Sequence, residues 1–516
     1  MSNILWIDDE IVLLQPFVMY LEKKNYKIFT ATNGKDGLEI ISNEEIDLVL
    51  LDEMMIGMDG LTVLHKIKEI DDELPVIMIT KSEEENIFLE AIGSKISDYI
   101  TKPVNPVQIH LSIKKILERS DIIRAKFSRD YPKEFEYLGE ALEKENVNDV
   151  NFWFELNERI CKKELELDEF GNENLKNSHK LIKNEYNIQF SKFLVSNYKD
   201  WIFGNRNFLL SNDLLKKLVL PEVNNNKKTA FFVLDSIRFD QMMMIEAFLN
   251  KRFKTEISSY IGLIPSTTVF ARNSIFSGFL PIELEERYEG FFDNLFDNGS
   301  SLNDREKELI FDFFKRHGLT SKKISYNKIF SQTESVKIEK SIRNFFIYDA
   351  SFFAYDIFDF LLHSKTTTNL LDEIMQDDKS FRKFISEWFS TSSLYRIMES
   401  LLNEGVKLII TTDHGNIRTE KFTDVSADEI FSTGTRFRFG RNIRTSNKKQ
   451  SWQIQVADQI GLPRSLRGKN LVISKENYAF INEKSFNDFK LKIKNSFQHG
   501  GISMEENILP ILKVWR

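Results

Sequence analysis

The chain has 516 residues, of which 42% are hydrophobic and 29% charged, the composition of a soluble globular protein with roughly two to four domains. A net charge of −8 argues against general electrostatic attraction to nucleic acid, and the single cysteine, Cys161, excludes an intrachain disulfide. The sequence carries neither a signal-peptide pattern nor an apolar run of about 18 residues. We therefore expect a cytoplasmic protein that does not insert into a membrane.

Residues 1–120 alternate short apolar runs with helical patterns, which predicts a parallel sheet with helices on both faces. Functional side chains gather at the carboxyl ends of the strands in such sheets. Five polar residues follow the predicted strands: Asp8, Asp9, Asp52, Thr80 and Lys102. Three carboxylates at one edge favour a Mg²⁺ ion between them, and a lysine supplies positive charge for a phosphoryl group.

This first segment resembles the receiver domains of bacterial two-component response regulators. The resemblance rests on Asp8-Asp9, on Asp52 followed by Met54-x-x-x-Met58-Asp59-Gly60, on Thr80, and on Lys102-Pro103. It implies that Asp52 accepts a phosphoryl group and that Asp8 and Asp9 hold Mg²⁺. Thr80 and Lys102 are then the sensors of that group, and Tyr99 is the aromatic switch. An acidic edge that is merely solvated is the alternative.

The same resemblance implies partners. A sensor histidine kinase is expected to phosphorylate the chain, and phosphorylation is expected to promote a homodimer through the face around residues 84–116.

Residues 121–215 contain no catalytic motif. Their apolar side chains recur at helical spacing, as at Trp153, Leu156 and Ile160. We expect a helical connector domain here, followed by a third domain over residues 216–516.

In residues 216–516 apolar runs again alternate with helical patterns, and two runs end in candidate metal ligands, Asp235 and Asp413-His414. Asp359 and His363 lie one helical turn apart and so share one face of a helix. His499 lies in the run Gln498-His499-Gly500-Gly501. These carboxylates and imidazoles suffice for two divalent metal ions. Taken singly, the Asp359 pair is typical of a surface pair, and Asp413-His414 is typical of a turn after a strand.

A hydroxyl nucleophile is available in Pro265-Ser266-Thr267-Thr268, about 30 residues after Asp235. Coordination to a metal lowers the pKa of a hydroxyl and makes attack on phosphorus feasible. Spacing alone does not decide between Thr267 and Thr268, and the pair is equally typical of a helix N-cap. We expect Arg272 to face the same phosphate from the first helical turn.

Residues 216–516 resemble the PglZ domains of the alkaline phosphatase superfamily, which have an α/β/α fold. The resemblance rests on the order Asp235, Pro-x-x-Thr, Asp359-x-x-x-His363, Asp413-His414-Gly415 and His499. It implies two zinc ions and Thr268 as the nucleophile. One ion is then held by Asp235, Thr268, Asp413 and His414. The other is held by Asp359, His363 and His499.

A receiver fused to a PglZ domain resembles the PorX-type response regulators. That resemblance implies a zinc-dependent phosphodiesterase or phosphatase acting on short cyclic or linear oligonucleotides. It also implies a sigma factor as partner and control of the type IX secretion system. One alternative is a non-catalytic signalling adaptor whose structural metal site supports binding of a sigma factor. Another is a DNA-binding transcription factor, against which the acidic net charge counts.

Residues 436–449 are rich in arginine and lysine. The alternation of Arg436 and Arg438 with Phe437 and Phe439 predicts a strand with both arginines on one side. Because guanidinium groups suit phosphate oxygens, this side is either a solvated strand face or a groove for a phosphodiester. The charged, helical stretch 280–345 departs from the strand-end pattern, and we expect it to form a cap that restricts the substrate.

Overall fold

The structure, a computed structural model, describes residues 2–55, 57–71, 74–80, 96–292, 303–356, 377–432, 434–466, 468–481, 490 and 493–516. Residues 118–125 are described by their backbone. The chain divides into two compact units, Met1–Glu134 and Phe135–Arg516.

The N-terminal unit is built on a five-stranded parallel sheet with the order β2-β1-β3-β4-β5. Its strands are β1 Ser2–Ile7, β2 Tyr26–Ala31, β3 Leu48–Asp52, β4 Val76–Thr80 and β5 Asp98–Thr101. Its helices are α1 Gln15–Glu22, α2 Gly34–Asn43, α3 Gly60–Ile70 and α4 Pro106–Lys144, the last of which continues beyond the unit. This is the parallel α/β arrangement that the sequence predicts.

Both faces of this sheet are covered, because successive strand residues point to opposite sides. Ile4 and Trp6 of β1 belong to one buried cluster, and Leu5 and Ile7 belong to the other. Because all five strands run parallel, their carboxyl ends lie along one edge, and this edge carries the polar residues described below.

A helical region follows, as expected. It consists of α5 Val150–Phe170 and α6 Glu173–Phe203, and their N-caps Asp149 and Asn172 each accept a backbone hydrogen bond. Trp153 of α5 packs in ring contact with Phe190 and Phe193 of α6, which fixes the two helices against each other. A single π turn at Leu215–Val219 and the short helix α7 Leu220–Asn224 lead into the next sheet.

A six-stranded mixed sheet with the order β7-β20-β10-β6-β9-β8 forms the centre of the C-terminal unit. Its strands are β6 Thr229–Leu234, β7 Lys254–Ile261, β8 Ile324–Ile329, β9 Ala350–Tyr355, β10 Lys407–Thr411 and β20 Ile508–Trp515. Strands β10, β6, β9 and β8 are parallel, whereas β20 and β7 are antiparallel to their neighbours.

Helices and buried side chains cover both faces of this sheet. The helices are α8 Phe239–Leu249, α9 Thr268–Ser277, α10 Pro281–Arg287, α11 Glu306–Arg316, α12 Gln332–Lys340, α13 Asp378–Thr391, α14 Ser393–Asn403 and α15 Met504–Asn507. Phe231 and Val233 of β6 belong to one core cluster, and Phe232 and Leu234 belong to the other. The result is a three-layered α/β/α arrangement.

Small sheets lie beyond the main one. They contain β11 Ile417–Arg418, β12 Lys421–Ser426, β13 Glu429–Ile430, β14 Phe437–Arg441, β15 Arg444–Thr445, β16 Ser451–Ile454, β17 Asn470–Ser474, β18 Tyr478–Ile481 and β19 Phe497–Gln498. Strand β11 pairs with β19 and so brings the segment after His414 next to the segment before His499.

The prediction that residues 280–345 form a charged, helical stretch was wrong for Ile324–Ile329, which form a strand. That segment is the edge strand β8 and pairs in parallel with β9. An edge strand is bonded on one side only, so its polar, half-buried sequence does not carry the apolar signature of a central strand. None of the described helices combines the length and the apolar character that crossing a membrane requires.

Candidate phosphorylation site and candidate metal centre

Three carboxylates meet at the carboxyl edge of the N-terminal sheet. One oxygen from each of Asp8, Asp9 and Asp52 lies within 4.8 Å of the others. Lys102 Nζ lies 2.9 Å from Asp52 Oδ1 and 3.6 Å from Asp8 Oδ2. Thr80 is buried at the end of β4, whereas Tyr99 is 45% exposed. The structure therefore brings the predicted carboxylates and lysine together.

The electrostatics of this edge favour a bound cation. Burial raises the pKa of Asp52 and of Asp8, and in both cases the nearby Lys102 counteracts burial only in part. A carboxylate with a raised pKa is poorly stabilised in its ionised form. A divalent cation among the three oxygens supplies the missing stabilisation, and oxygen ligands are those that Mg²⁺ prefers.

In the C-terminal unit a second group forms where β6 and β10 end. Ligand atoms of Asp235, Asp413 and His414 lie within 4.8 Å of one another, and all three residues are buried. His414 Nε2 lies 3.3 Å from Asp235 Oδ1 and 3.0 Å from Thr268 Oγ1. Two parallel neighbouring strands end here, so residues 178 positions apart in the chain, Asp235 and Asp413, become neighbours.

The hydrogen bonds of His414 decide which nitrogen is available as a ligand. Its Nδ1 lies 3.0 Å from the carbonyl oxygen of Gly415. A carbonyl can only accept, so Nδ1 carries a proton, and in the neutral imidazole the lone pair is therefore on Nε2. That lone pair faces Asp235 and Thr268, the orientation that a metal-binding histidine takes when its other nitrogen is fixed by a carbonyl.

The distance to His414 favours Thr268 over Thr267 as the reacting hydroxyl. Thr268 is the first residue of α9, and Thr267 is its N-cap residue. The Thr267 hydroxyl is buried and makes no hydrogen bond with the described residues. Thr268 therefore presents its oxygen to the candidate ligands at the N-terminus of a ten-residue helix, an end that attracts phosphate.

His499 stacks on His414, with ring centroids 4.2 Å apart and ring planes 12° from parallel. Its Nδ1 lies 3.1 Å from the carbonyl oxygen of Ser266, so this nitrogen also carries the proton. Asp359 and His363 lie outside the described residues. Their expected role beside His499 stays a prediction.

Arg272 requires a correction, because its side chain is fully buried and faces carboxylates. Its Nε donates to Asp413 Oδ2 at 3.0 Å, Nη2 donates to Asp235 Oδ2, and Nη1 donates to Asp356 Oδ1. Burial works against its charge, but these carboxylates outweigh burial and raise its pKa well above the ordinary value. Because the side chain is buried and each of its nitrogens donates to a carboxylate, Arg272 orients the candidate ligands and is not placed to bind a phosphate.

Asp356 and Glu306 enlarge this cluster and were not anticipated. Asp356 directly follows the buried strand β9, so the strand-end rule applied to that strand would have found it. Glu306 begins α11, is fully buried and lies 3.7 Å from Arg272 Nη1. Burial raises the pKa of both carboxyl groups. For Asp413, burial also opposes ionisation, but the neighbouring Arg272 outweighs it and keeps the pKa of Asp413 below the ordinary value.

The expectation for Arg436 and Arg438 was also wrong. The alternation is real, since β14 buries Phe437 and Phe439 as well, but both arginines are at most 1% exposed. Arg436 is paired with Glu506, and Arg438 donates to the carbonyl oxygens of Gly434 and Phe480. Neither a solvated face nor a phosphodiester groove is possible for side chains held in this way.

The linker helix α6 contacts the segment that follows His499. Asn187 accepts a hydrogen bond from the Met504 amide at 2.8 Å and donates to Glu505 at 3.0 Å. Lys183 forms an ion pair with the same glutamate at 3.0 Å, and Ser191 donates to the carbonyl oxygen of Ile502. The helical region is thus bonded directly to the loop next to the candidate metal centre.

Comparison with known protein families identifies the family of each of the three parts of the chain. Residues 214–514 match the BREX system PglZ alkaline phosphatase-like domain, which is more than half of the chain. The chain belongs to the PglZ alkaline phosphatase-like family. Residues 4–114 match the response regulator receiver domain, and residues 121–202 match the PorX response regulator linker domain. The chain is therefore a response regulator of the PorX type, with a receiver, a linker and a PglZ domain in that order.

Individual relatives match the receiver region. The transcriptional regulatory protein SrrA of Staphylococcus aureus is 34% identical over 142 residues, which is 27% of this chain and 58% of that protein. A CheY-like receiver domain from Methanospirillum hungatei is 31% identical over 23% of this chain and 95% of the solved chain, with a TM-score of 0.22. The receiver domain of NtrX from Brucella abortus is 31% identical over 22% of this chain and 98% of its own, with a TM-score of 0.21.

The donor set of the PglZ domain fits a zinc ion. Two carboxylates, one imidazole nitrogen with its lone pair fixed and one hydroxyl converge on one point. Three protein ligands that offer nitrogen and oxygen are typical of catalytic zinc, and here the Thr268 hydroxyl lies beside the three. Receiver and alkaline phosphatase-like domains generally use metal ions, and each of these two domains contains one of the two clusters.

Proposed function

We propose that the PglZ domain is a zinc-dependent hydrolase of phosphodiesters and that phosphorylation of Asp52 in the receiver controls it. The observation that carries the proposal is the 3.0 Å approach of the Thr268 hydroxyl to His414 Nε2, beside Asp235 and Asp413. A hydroxyl, an imidazole with a fixed lone pair and two carboxylates at a helix N-terminus are the parts of a phosphoryl-transfer site.

Each residue then has a defined task. Zinc, when bound, lowers the pKa of the Thr268 hydroxyl and withdraws charge from the phosphate oxygens. The Thr268 hydroxyl loses its proton to water, and its Oγ1 attacks phosphorus. A Thr268–phosphorus bond forms, the bond to the leaving oxygen breaks, and that oxygen takes a proton from water. Water then cleaves the Thr268–phosphorus bond and restores the hydroxyl. Asp235 and Asp413 are held in place by Arg272, while His414 is oriented by Gly415.

The second zinc is assigned to Asp359, His363 and His499. The stacking of His499 on His414 supports this assignment, because it brings a further imidazole next to the first group of ligands. A second cation held there would help to stabilise the charge that develops in an in-line displacement.

The substrate and partners follow from the PorX-type assignment. Short cyclic or linear oligonucleotides are the proposed substrates, a sigma factor is a proposed partner, and control of the type IX secretion system is the proposed role. The receiver supports phosphorylation of Asp52 by a histidine kinase with Mg²⁺ at Asp8 and Asp9. The hydrogen bonds of the linker to residues 502–505 support coupling between the linker and the hydrolase.

The alternative is an adaptor without catalysis that binds a sigma factor. One observation favours it: Arg272 already neutralises part of the acidic cluster and stabilises it without a metal. Metal content and turnover separate the two functions, since an adaptor hydrolyses nothing even when it is loaded with zinc.

The test is a comparison of Thr268→Val with Thr267→Val in the full chain. With bis(4-nitrophenyl) phosphate and 4-nitrophenyl phosphate as model diester and monoester, Thr268→Val should retain both zinc ions and lose about a hundredfold or more in turnover. Thr267→Val serves as the matched control and should lose far less. Wild-type turnover in zinc-loaded Thr268→Val contradicts the nucleophile, and absence of turnover in the zinc-loaded wild type favours the adaptor.

A further inference from the structure

A buried ion pair lies next to the segment that begins with His499. Arg436 Nε donates to Glu506 Oε1 at 2.9 Å, and Nη2 donates to Glu506 Oε2 at 2.7 Å. Both side chains are fully buried. Two parallel charge-assisted bonds fix the orientation of the partners as well as their distance, so this pair is a rigid connection.

The pair joins three separate parts of the chain. Glu506 also accepts from the Gly501 amide at 2.8 Å and from the Ser503 hydroxyl at 2.8 Å. Arg436 also donates to the carbonyl oxygen of Glu476 at 2.6 Å and to that of Tyr478. The segment 499–506 is thereby bound to the residue that directly precedes β14 and to the turn that leads into β18.

The same segment is also bound to the nucleophile loop. The Gly500 amide donates to Ser266 Oγ at 3.0 Å, and His499 Nδ1 donates to the Ser266 carbonyl oxygen at 3.1 Å. Ser266 precedes Thr268 by two residues. A shift of Gly500 or Gly501 therefore moves His499 relative to Thr268.

The backbone of the segment is shaped to receive the guanidinium group. A Cβ atom on Gly501 would lie 2.3 Å from Arg436 Nη2 and 2.6 Å from its Cζ. Such an approach is closer than atoms allow, so only glycine permits the guanidinium to lie flat against this backbone. The preceding Gly500 has a φ of +108°, a conformation that L-residues avoid.

We propose that Arg436 and Glu506 are positioning residues of the hydrolase. They hold residues 499–506 against the nucleophile loop and so set the separation of His499 from His414 and Thr268. The inference rests on the proposed function, since it gives His499 a metal to hold. The pair acts through Gly501 and Ser266 and does not touch the substrate.

The physical reason for such a device is the precision that two-metal chemistry needs. Productive sites hold their groups within about 0.5 Å of the required geometry, and a loop alone does not provide this. His499 lies on a loop between β19 and α15, far in sequence from both Thr268 and His414. A buried fork of two charge-assisted bonds supplies the missing rigidity.

The test compares Glu506→Gln and Arg436→Lys with Arg438→Lys in the full chain. Glu506→Gln keeps the shape of the side chain but removes its charge, and Arg436→Lys keeps the charge but removes the fork. Arg438 is the matched control, because it lies only two residues after Arg436, is equally buried, and donates to the carbonyl oxygens of Gly434 and Phe480.

Three quantities are measured: amide hydrogen exchange of residues 499–503 in zinc-free protein, zinc affinity by competition with a chelator, and kcat and KM for bis(4-nitrophenyl) phosphate. In Glu506→Gln we expect exchange to accelerate and one of the two zinc ions to bind about tenfold or more weakly, as is typical when outer support of a metal ligand is lost. We expect kcat to fall by a similar factor while KM stays within about threefold. Arg436→Lys should show the same changes to a smaller extent.

The proposal is overturned if the amides of residues 499–503 in Glu506→Gln exchange hydrogen at the wild-type rate and the variant binds both zinc ions as tightly as wild type. It is also overturned if Arg438→Lys lowers the affinity for the same zinc ion to the same extent. Should Glu506→Gln not fold, Gly501→Ala displaces the guanidinium from the other side and must give the same pattern. A wild-type chain that binds no zinc refutes the proposed function, whereas the exchange comparison still decides whether the pair positions the segment.

Discussion

Replacement of Arg272 by methionine tests how the acidic cluster of the PglZ domain is stabilised. The guanidinium is fully buried and donates to Asp235, Asp413 and Asp356, and Glu306 lies 3.7 Å away. Methionine has a similar length but no charge, so the variant leaves four acidic groups without their common partner. Removal of one member of a buried ion pair costs about 3–5 kcal/mol, and we expect a loss of that size in zinc-free protein.

The same variant should bind zinc more tightly. Arg272 contacts the outer oxygens of Asp235 and Asp413, so its positive charge repels a cation held by the inner oxygens. For charges of +1 and +2 about 6 Å apart at an effective dielectric constant of about 20, this repulsion is about 5–6 kcal/mol. The carboxylates also lose the partner that orients them, which opposes this gain. Such a loss typically lowers metal affinity by only about tenfold to a hundredfold, or about 1.4–2.7 kcal/mol. The charge effect is larger, so zinc affinity should rise about tenfold or more.

Two measurements check this reasoning. Thermal unfolding of the full chain with and without zinc should show that zinc stabilises Arg272→Met more than it stabilises wild type, because tighter binding adds to the folded state. Chelator competition should give the affinity directly. Arg272→Lys keeps the charge and loses the fork, so its zinc affinity should fall and not rise. Weaker zinc binding in Arg272→Met, or the same loss of stability with and without zinc, would refute the electrostatic argument.

Further expectations concern the receiver and the linker. Asp52→Asn should abolish labelling by radioactive acetyl phosphate in the presence of Mg²⁺, and persistent labelling would indicate another acceptor. Beryllofluoride, a mimic of the phosphoryl group, should shift the wild type but not Asp52→Asn from monomer to dimer in sedimentation. An unchanged monomer counts against dimerisation through the face around residues 84–116, of which residues 84–95 are outside the described part. Burial, with Lys183 assisting, lowers the pKa of His179 in the linker below its ordinary value of 6.5, although Glu164 opposes the shift. The unfolded chain therefore takes up this proton first, and stability should decline as the pH falls below about 6.5, by at most about 1.4 kcal/mol per pH unit. His179→Asn should flatten that decline in chelator-treated protein, and an equal slope in both proteins would show that another group causes it.

The sequence alone determined which site residues lie at the carboxyl ends of parallel strands. Asp8, Asp52 and Lys102 lie at the carboxyl ends of β1, β3 and β5 in the N-terminal βα pattern. Asp235 and Asp413 lie just after two apolar runs of the C-terminal pattern. Parallel strands bring their carboxyl ends to one edge whatever the details of packing are, so residues after such strands meet. For the same reason Asp356, which follows β9, could have been found from the sequence had that strand been recognised.

Tertiary structure decided the roles of the arginines, because their partners come from segments with no relation in sequence. The alternation of Arg436 and Arg438 with phenylalanines correctly indicated a strand, but it could not say whether water or protein lies over the arginine side. Glu506 is 70 residues away from Arg436, and its carboxylate makes burial of that charge possible. Arg272 likewise has the spacing of a substrate ligand, four residues after Thr268. Its N–H groups donate instead to three carboxylates that follow β6, β9 and β10, namely Asp235, Asp356 and Asp413. A charged side chain is placed by whichever opposite charges the fold brings within about 4 Å, and local periodicity carries no information about those distant segments.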